Sequence, residues 1–406
     1  LRILILELYI CWKESGNQFL SVSMSKRGYK SKSRYNPNGI SSYLIKIINF
    51  LKVNNLIEFY PGFYDPKTKK SRLTRIRPSK LLGNYFKKIE IHGDENINHS
   101  KKEFLLIYKN GILYEYDDSY ETQEIREILK YYNHLISKTF FDIPNYQSEI
   151  LSRGDNRKIV ISHFVSCTYS LNKNKRSKEI FGDCWWSKID LSLFFKIQNH
   201  LAINNQATTY FDLLEFFGDF LTFKLKNNII LNAKTFSKVL NYDQLCSLII
   251  KSFRSKNSKS FIKSVFNEKK KLSLENFTSK EIKDAVTNLI INNHRLSDSI
   301  YKGIDIGWDE FVSQFFYNLI TKLKSIDIPI YLVRDKIYLP SNKESVVANK
   351  IQEILYKLLG IRVSSINFKN SISFDSKRKG LFSRFIKSDV NFSKRYLANK
   401  KYYNIG

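Results

Sequence analysis

An aspartate at the tip of an apolar hairpin is the first candidate for chemistry in this sequence. The segment IPIYLV (328–333) is apolar enough for a buried strand, and IYL (337–339) indicates a returning strand. Arg334, Asp335 and Lys336 lie between them as the predicted turn. A carboxylate in that position can meet a metal ion, whereas the alternative is that Asp335 only forms the turn.

A second group of candidates consists of cations in a predicted two-stranded hairpin. The segment LIEFYPGFY (56–64) precedes turn-forming residues 65–70, and RLTRIRPS (72–79) follows as the return strand. Arg75 and Arg77 are two residues apart and therefore point to one face. Cations on the tip and return strand suit phosphate contacts, although the alternative is a solvated basic surface on an ordinary helical domain. These cations are Lys67, Lys69, Lys70, Arg72, Arg75 and Arg77.

Helices joined by a basic loop are predicted before this hairpin. Residues 1–13 are expected to form an amphipathic helix, and a second helix is expected to begin with Ser41 or Ser42 as its N-cap. The loop SKRGYKSKSRYNP (25–37) interleaves basic residues, among them Arg34, with tyrosines. Such a loop suits phosphate contacts with some stacking.

The composition indicates a folded protein with an anionic partner. The 406 residues include 67 Lys and Arg against 38 Asp and Glu, which gives a formal net charge of +29. A hydrophobic share of 43% supplies a core, so the chain is not of the disordered class. Residues 1–80 hold sixteen Lys and Arg but four acids, a local charge of +12. A polyanion such as nucleic acid is therefore the first partner to consider.

The composition also excludes several classes of site. The four cysteines are far apart in sequence, and the six histidines are scattered, so neither a zinc site nor a disulfide framework is expected. No Ser-His-Asp or Cys-His arrangement suggests itself. No run of eighteen apolar residues occurs, so we expect no membrane span.

The N-terminal motifs resemble a known group of proteins. RYNPNGIS (34–41), the helix after it and LIEFYPGFYDPKTKKSRLTRIRPS (56–79) resemble the N-terminal winged-helix region of replication-associated proteins of phages and bacterial mobile elements. In that group a domain resembling family A DNA polymerases follows. The resemblance implies a winged helix on duplex DNA, followed by a polymerase-like palm and fingers.

The same resemblance implies a metal site made of two aspartates. TTYFDLLEFFGDFL (208–221) resembles the segment that carries the first catalytic carboxylate, with Asp212 as the ligand. The hairpin around Asp335 resembles the second. In such a palm the two carboxylates hold two Mg²⁺ ions for nucleotide transfer from dNTPs. Lys336 departs from the family pattern, and we expect Arg334 and Lys336 to lower the pKa of Asp335, pair with it and compete with Mg²⁺.

The segment that corresponds to the nucleotide-binding helix also departs from the family pattern. Residues 241–266 take its place, but no Arg-x-x-x-Lys pair opens them. Lys251 and Arg254 come a turn or more later and are the candidates for the triphosphate, since phosphates need fixed cations. A solvated basic face is the alternative for this stretch.

We therefore predict an α+β protein of four segments. These are a winged-helix DNA-binding domain (1–88), a connecting helical region (89–150), a divergent family A polymerase-like domain (151–367) and a basic aromatic C-terminal tail (368–406).

The expected function is that of a cytoplasmic replication protein in a bacterial or phage-infected cell. Template-directed nucleotidyl transfer with Asp212 and Asp335 is the leading hypothesis. A non-catalytic DNA-binding initiator or regulator with a degenerate polymerase-like domain is the alternative. A nuclease is the third option, because Asp212, Asp335 and Glu344 or Glu353 could form a carboxylate cluster.

Overall fold

The computed structural model describes most of the chain, with gaps. The described residues are 1–14, 19–68, 70–88, 102–139, 141–142, 164–172, 175–184, 186, 194–195, 198, 201–204, 206–226, 240–269, 272–292, 294–363 and 366–370.

Helices and strands are mixed along the described residues, which confirms the α+β class. The helices are α1 (Arg2–Glu14), α2 (Tyr43–Val53), α3 (Lys80–Lys88), α4 (Tyr120–Ser137), α5 (Phe217–Leu225), α6 (Tyr242–Arg254), α7 (Ser258–Asn267), α8 (Ser279–Asn292), α9 (Trp308–Leu323) and α10 (Glu344–Leu359). The strands are β1 (Leu20–Val22), β2 (Ile57–Tyr60), β3 (Phe63–Asp65), β4 (Lys70–Arg72), β5 (Thr74–Pro78), β6 (Leu105–Lys109), β7 (Ile112–Leu113), β8 (Phe141–Asp142), β9 (Phe164–Asn172), β10 (Lys175–Asp183), β11 (Ala202–Ile203), β12 (Gln206–Asp212), β13 (Tyr331–Val333), β14 (Lys336–Pro340) and β15 (Lys369–Asn370).

The N-terminal unit consists of α1–α3 and β1–β5. Its three helices pack on a three-stranded sheet. The strands lie in the order β1–β5–β2, both pairs antiparallel, and β3 and β4 extend beyond this sheet as a two-stranded hairpin. Leu8, Ile48 and Ile76 are fully buried at its centre. The two predicted helices and the hairpin are confirmed, and the Ser41 hydroxyl accepts a hydrogen bond from the Tyr43 N–H at the start of α2.

A local hydrogen-bonded turn forms the tip of the hairpin. The Asp65 carboxylate accepts the Lys67 N–H at 2.9 Å and the Thr68 hydroxyl. Both hydrogen bonds lower the pKa of Asp65, and the bond from the Thr68 hydroxyl has the larger effect. The turn-forming role expected of these residues is thereby confirmed.

The second unit consists of α4–α10 and β6–β15. It contains two sheets that share one hydrophobic core. One sheet has the order β10–β9–β6–β7, and the other has the order β13–β14–β12–β11–β8 with β15 paired to β12. Strand β6 runs parallel to β9, and β8 pairs with β11. Core residues extend from Leu105 to Leu359. The described part of the predicted connecting region therefore packs into this unit, while the predicted boundary at 150 lies outside the described residues.

The predicted hairpin around Asp335 is confirmed, except that Lys336, expected in the turn, is the first residue of β14. Strands β13 and β14 pair directly, with Arg334 in the left-handed region (φ 57°) at the turn between them. The far side of β14 pairs with β12, so that Asp212 lies opposite Lys336. Topology thus brings the two predicted aspartates to one edge of the sheet.

The remaining segment predictions concern the C-terminus and the membrane. Of the predicted tail, Phe368 packs against the core and Lys369–Asn370 form a strand on the sheet, whereas 371–406 lie outside the described residues. Among the described residues, no helix has both the length and the apolar character needed to span a bilayer.

We expect Gly62→Ala to destabilise the N-terminal unit. A methyl group on Gly62 would overlap the Arg72 carbonyl oxygen and lie 2.7 Å from the Thr74 nitrogen, so the backbone must move. The free energy of unfolding should fall by about 1–3 kcal/mol, the usual cost of overpacking. Urea unfolding of the full chain measures this. Ser71→Ala, on the exposed face of β4, is the matched control, and equal stabilities would contradict the packing described here.

Candidate functional site

The hairpin of the N-terminal unit is an exposed surface that combines cations with aromatic rings. All three residues of β4 are exposed, and so are Phe63 and Tyr64 of β3, at 49% and 68% of their surface. The Arg72 guanidinium lies 5.2 Å from the centre of the Phe63 ring. Lys67 and Lys70 are also exposed. Lys69, predicted with them, lies outside the described residues.

Arg75 and Arg77 lie on one face of β5, as predicted. Both guanidinium groups are 4.9 Å from the centre of the Phe19 ring. Arg77 also forms an ion pair with Glu58, at 2.6 Å. These two arginines are therefore half-buried side chains that line the base of the hairpin.

Arg34 connects the basic loop to the second unit. Its guanidinium is 2.9 Å from the Asp118 carboxylate and 3.7 Å from the centre of the Tyr116 ring. Burial raises the pKa of Tyr116 to about 12, although Arg34 acts against this shift. Arg34 thus forms an ion pair within the protein, whereas the described hairpin cations Lys67, Lys70 and Arg72 form no ion pair with a described residue.

The second candidate site lies where β12 ends and β14 begins. Asp212 is the last residue of β12, and its Oδ1 accepts the Leu214 N–H at 3.2 Å, which caps the short helix Leu213–Phe216. The Leu213 N–H donates to the Asp335 carbonyl at 2.9 Å. The backbones of the two predicted metal ligands are therefore adjacent.

A buried lysine, Lys336, occupies this site. Its Nζ is 2.9 Å from Asp212 Oδ2 and 3.0 Å from Asp243 Oδ2, and its side chain is only 4% exposed. Burial alone would lower the pKa of Lys336, but the two carboxylates outweigh it and raise the pKa above its usual value. The expectation that Lys336 pairs with Asp335 is wrong, because the Lys336 ammonium pairs with Asp212 and Asp243 instead.

Asp335 faces the indole of Trp308. Its Oδ1 accepts the Trp308 Nε1–H at 2.8 Å. Burial raises the pKa of Asp335. The hydrogen bond from Trp308 and the positive charges of Arg334 and Lys336 lower it, but they offset only part of the rise. The expectation of a lowered pKa is therefore wrong, because loss of hydration outweighs the neighbouring cations.

A second lysine also reaches Asp212. Lys369 of β15 lies 3.8 Å from Asp212 Oδ2 and forms a closer ion pair with Glu215. Two ammonium groups therefore share the carboxylates at this edge of the sheet.

The two predicted aspartates, as placed, do not fit a pair of Mg²⁺ ions. Each Mg²⁺ needs near-octahedral oxygen ligands at about 2.0–2.1 Å, usually several of them water. One Asp212 oxygen instead caps a helix while the other faces Lys336, and Asp335 Oδ1 accepts the Trp308 N–H. Within the described ranges, no three His, Cys, Asp or Glu side chains are grouped to hold a metal.

The residues predicted to bind the triphosphate are paired with carboxylates. Both lie on α6: Lys251 is 3.0 Å from Glu268, and Arg254 is 2.6 Å from Asp309 and 3.3 Å from Asp305. These partners hold α6 to its neighbours.

The carboxylates considered for a nuclease are also placed elsewhere. Glu353 of α10 pairs with Lys322 and Lys350, whereas Glu344 lies in the first turn of the same helix. Neither is among the groups that contact Asp212 or Asp335.

Asp243, Trp308 and Lys369 belong to the site but were not predicted. Asp243 lies in the first turn of α6, where an acid is ordinarily explained by the helix dipole. A lone tryptophan in an amphipathic helix ordinarily indicates core packing. Only the tertiary contacts identify these three residues.

Comparisons with protein-family models, with the curated proteins and with the solved structures found no match for this chain. The geometry and the charges of the two candidate sites therefore carry the functional assignment.

We expect Asp335→Asn to remove a pH-dependent loss of stability. The Asp335 carboxyl binds its proton more tightly in the folded state than in the unfolded state, because burial raises its pKa. The stability of wild type therefore falls as the pH rises from the unfolded pKa of Asp335, about 3.9, through its folded pKa. Asparagine keeps an oxygen for the Trp308 N–H and has no such loss. The melting temperature of the variant should exceed that of wild type at pH 7 and equal it at pH 3.

Asp284→Asn, on the exposed side of α8, is the matched control and should leave the melting temperature unchanged at both values of pH. A lower melting temperature for Asp335→Asn at pH 7 would mean that the ionised carboxylate stabilises the fold.

Proposed function

We propose that this chain is a non-catalytic replication initiator or regulator that binds duplex DNA through its N-terminal unit. The observation that carries the proposal is the exposed hairpin β3–β4, with Lys67, Lys70 and Arg72 beside exposed aromatic rings. Its assignment to phage or mobile-element replication depends on the resemblance within residues 34–79.

The connectivity of the N-terminal unit supports a winged helix. The chain runs from α1 through β1 to α2, and then through β2, the hairpin and β5. The return strand β5 lies between β1 and β2, and the hairpin projects from the β2–β5 pair. In this proposal the hairpin is the wing, and α2 is the helix that precedes it.

The distribution of ion pairs supports the hairpin as the surface for phosphates. Among the described residues, the side chains of Lys67, Lys70 and Arg72 form no ion pair, whereas Lys251 and Arg254 are neutralised by carboxylates. Cations without internal partners can release counterions from a DNA backbone at little cost to the fold.

The outward side of α2 supports contact with a duplex as well. Tyr43, Lys46, Asn49, Phe50 and Val53 are all exposed on this helix. Amide and apolar side chains of this kind can contact base edges and thymine methyl groups if the helix enters a major groove.

We expect Lys67→Ala with Lys70→Ala to weaken duplex DNA binding and reduce its salt dependence. Each lost phosphate contact should lower the slope of log K against log salt by about 0.9. Fluorescence anisotropy with a labelled duplex across several salt concentrations measures this. Lys280→Ala with Lys283→Ala, exposed on α8, removes the same charge and is the matched control. Equal slopes for the two pairs would reject the hairpin as the binding surface.

Template-directed nucleotide transfer from dNTPs is the second candidate function. The adjacency of Asp212 and Asp335 at one sheet edge favours it. The ion pairs of Asp212, Lys251 and Arg254 argue against nucleotide transfer, because these three predicted site residues already have partners within the protein.

We expect no primer extension by the full chain with a primed template, dNTPs and Mg²⁺. The measurement is incorporation of labelled nucleotide, with Asp335→Asn assayed in parallel. Incorporation by wild type that is lost in Asp335→Asn would make nucleotide transfer the function. Incorporation equal in the two proteins would indicate a contaminating polymerase.

A further inference from the structure

The strongest unassigned feature is the buried group of Asp212, Asp243 and Lys336. The ammonium touches both carboxylates, at 2.9 and 3.0 Å, and the three side chains are 9%, 16% and 4% exposed. Two neighbouring carboxylates removed from water repel each other unless a cation lies between them. Lys336 supplies that cation.

The lysine is held in this position from several directions. Its backbone pairs with Asp212 across the β12–β14 ladder, and its ammonium lies 5.4 Å from the Phe194 ring and 5.9 Å from the Tyr210 ring. Since the ammonium is covalently tethered and its side chain is 4% exposed, its local concentration at the carboxylates is high and salt screens the contact only weakly. A free ion that binds here would have to displace the ammonium from both carboxylates.

The Asp212 and Asp243 oxygens that contact the Lys336 ammonium are also the type of ligand that a hard divalent ion binds. Ca²⁺ accepts carboxylate oxygens at about 2.3–2.6 Å in flexible geometry, only slightly shorter than the distances to the ammonium. Asp212 Oδ2 and Asp243 Oδ2 thus supply some of the oxygens that a cation site needs, and they bind an ammonium that is part of the chain.

We propose that Lys336 is a built-in substitute for a metal ion, so that wild type binds no divalent cation at Asp212 and Asp243, and that loss of the lysine ammonium exposes a divalent cation site there. The proposal concerns the second unit alone. It stands whether or not the N-terminal unit binds DNA.

Terbium luminescence tests the proposal. Tb³⁺ replaces Ca²⁺ at oxygen sites and emits when a nearby tyrosine such as Tyr210 is excited. Full-length Lys336→Ala should show a saturable gain of emission that excess Ca²⁺ removes, and its melting temperature should rise with Ca²⁺. Wild type should show neither effect.

Lys369→Ala is the matched control, because it removes another ammonium near Asp212 and leaves Lys336 in place. It should resemble wild type. The triple variant Asp212→Asn, Asp243→Asn, Lys336→Ala lacks both carboxylates and should lose the gain.

Three results would overturn the proposal. The first is emission from wild type that Asp212→Asn abolishes, because a free ion would then displace the ammonium. The second is a folded Lys336→Ala whose emission does not exceed that of the triple variant. The third is a Lys336→Ala that stays unfolded with Ca²⁺ while the triple variant folds, because the metal would then fail to replace the ammonium.

Discussion

The second unit depends on one buried ammonium group that two carboxylates share. Lys336 joins the end of β12 to the start of β14 and to the first turn of α6 through Asp212 and Asp243. Removal of one partner from a buried ion pair usually destabilises a protein by about 3–5 kcal/mol, because the other charge is left without compensation. In our proposal, the same ammonium that joins sheet and helix also takes the place of a metal ion.

The cations of the described residues fall into two kinds, those that pair with a carboxylate and those that do not. In the second unit, Lys251, Arg254 and Lys336 each contact an acid, and their charges hold elements together. On the N-terminal hairpin, Lys67 and Lys70 face solvent. A net charge of +29 therefore says little about function until each cation is assigned to one of these kinds.

Local patterns predicted much of the fold. Helices α1 and α2, the basic hairpin and the β13–β14 hairpin depend on periodic apolar residues and on turn formers, which act over a few neighbouring residues. The pairing of β6 with β9 and the common core of the second unit were not predicted. Contacts between distant segments leave no periodic signal in either segment.

The sequence by itself determined which residues could carry charge and which segments would fold locally, because both follow from residue type and short-range spacing. It placed Asp335 in a turn and Arg75 and Arg77 on one face of a strand, and the structure agrees. Only the tertiary structure decided what the charges do. Asp243 lies 93 residues before Lys336 in the chain, and the fold brings its carboxylate to the same ammonium that pairs with Asp212.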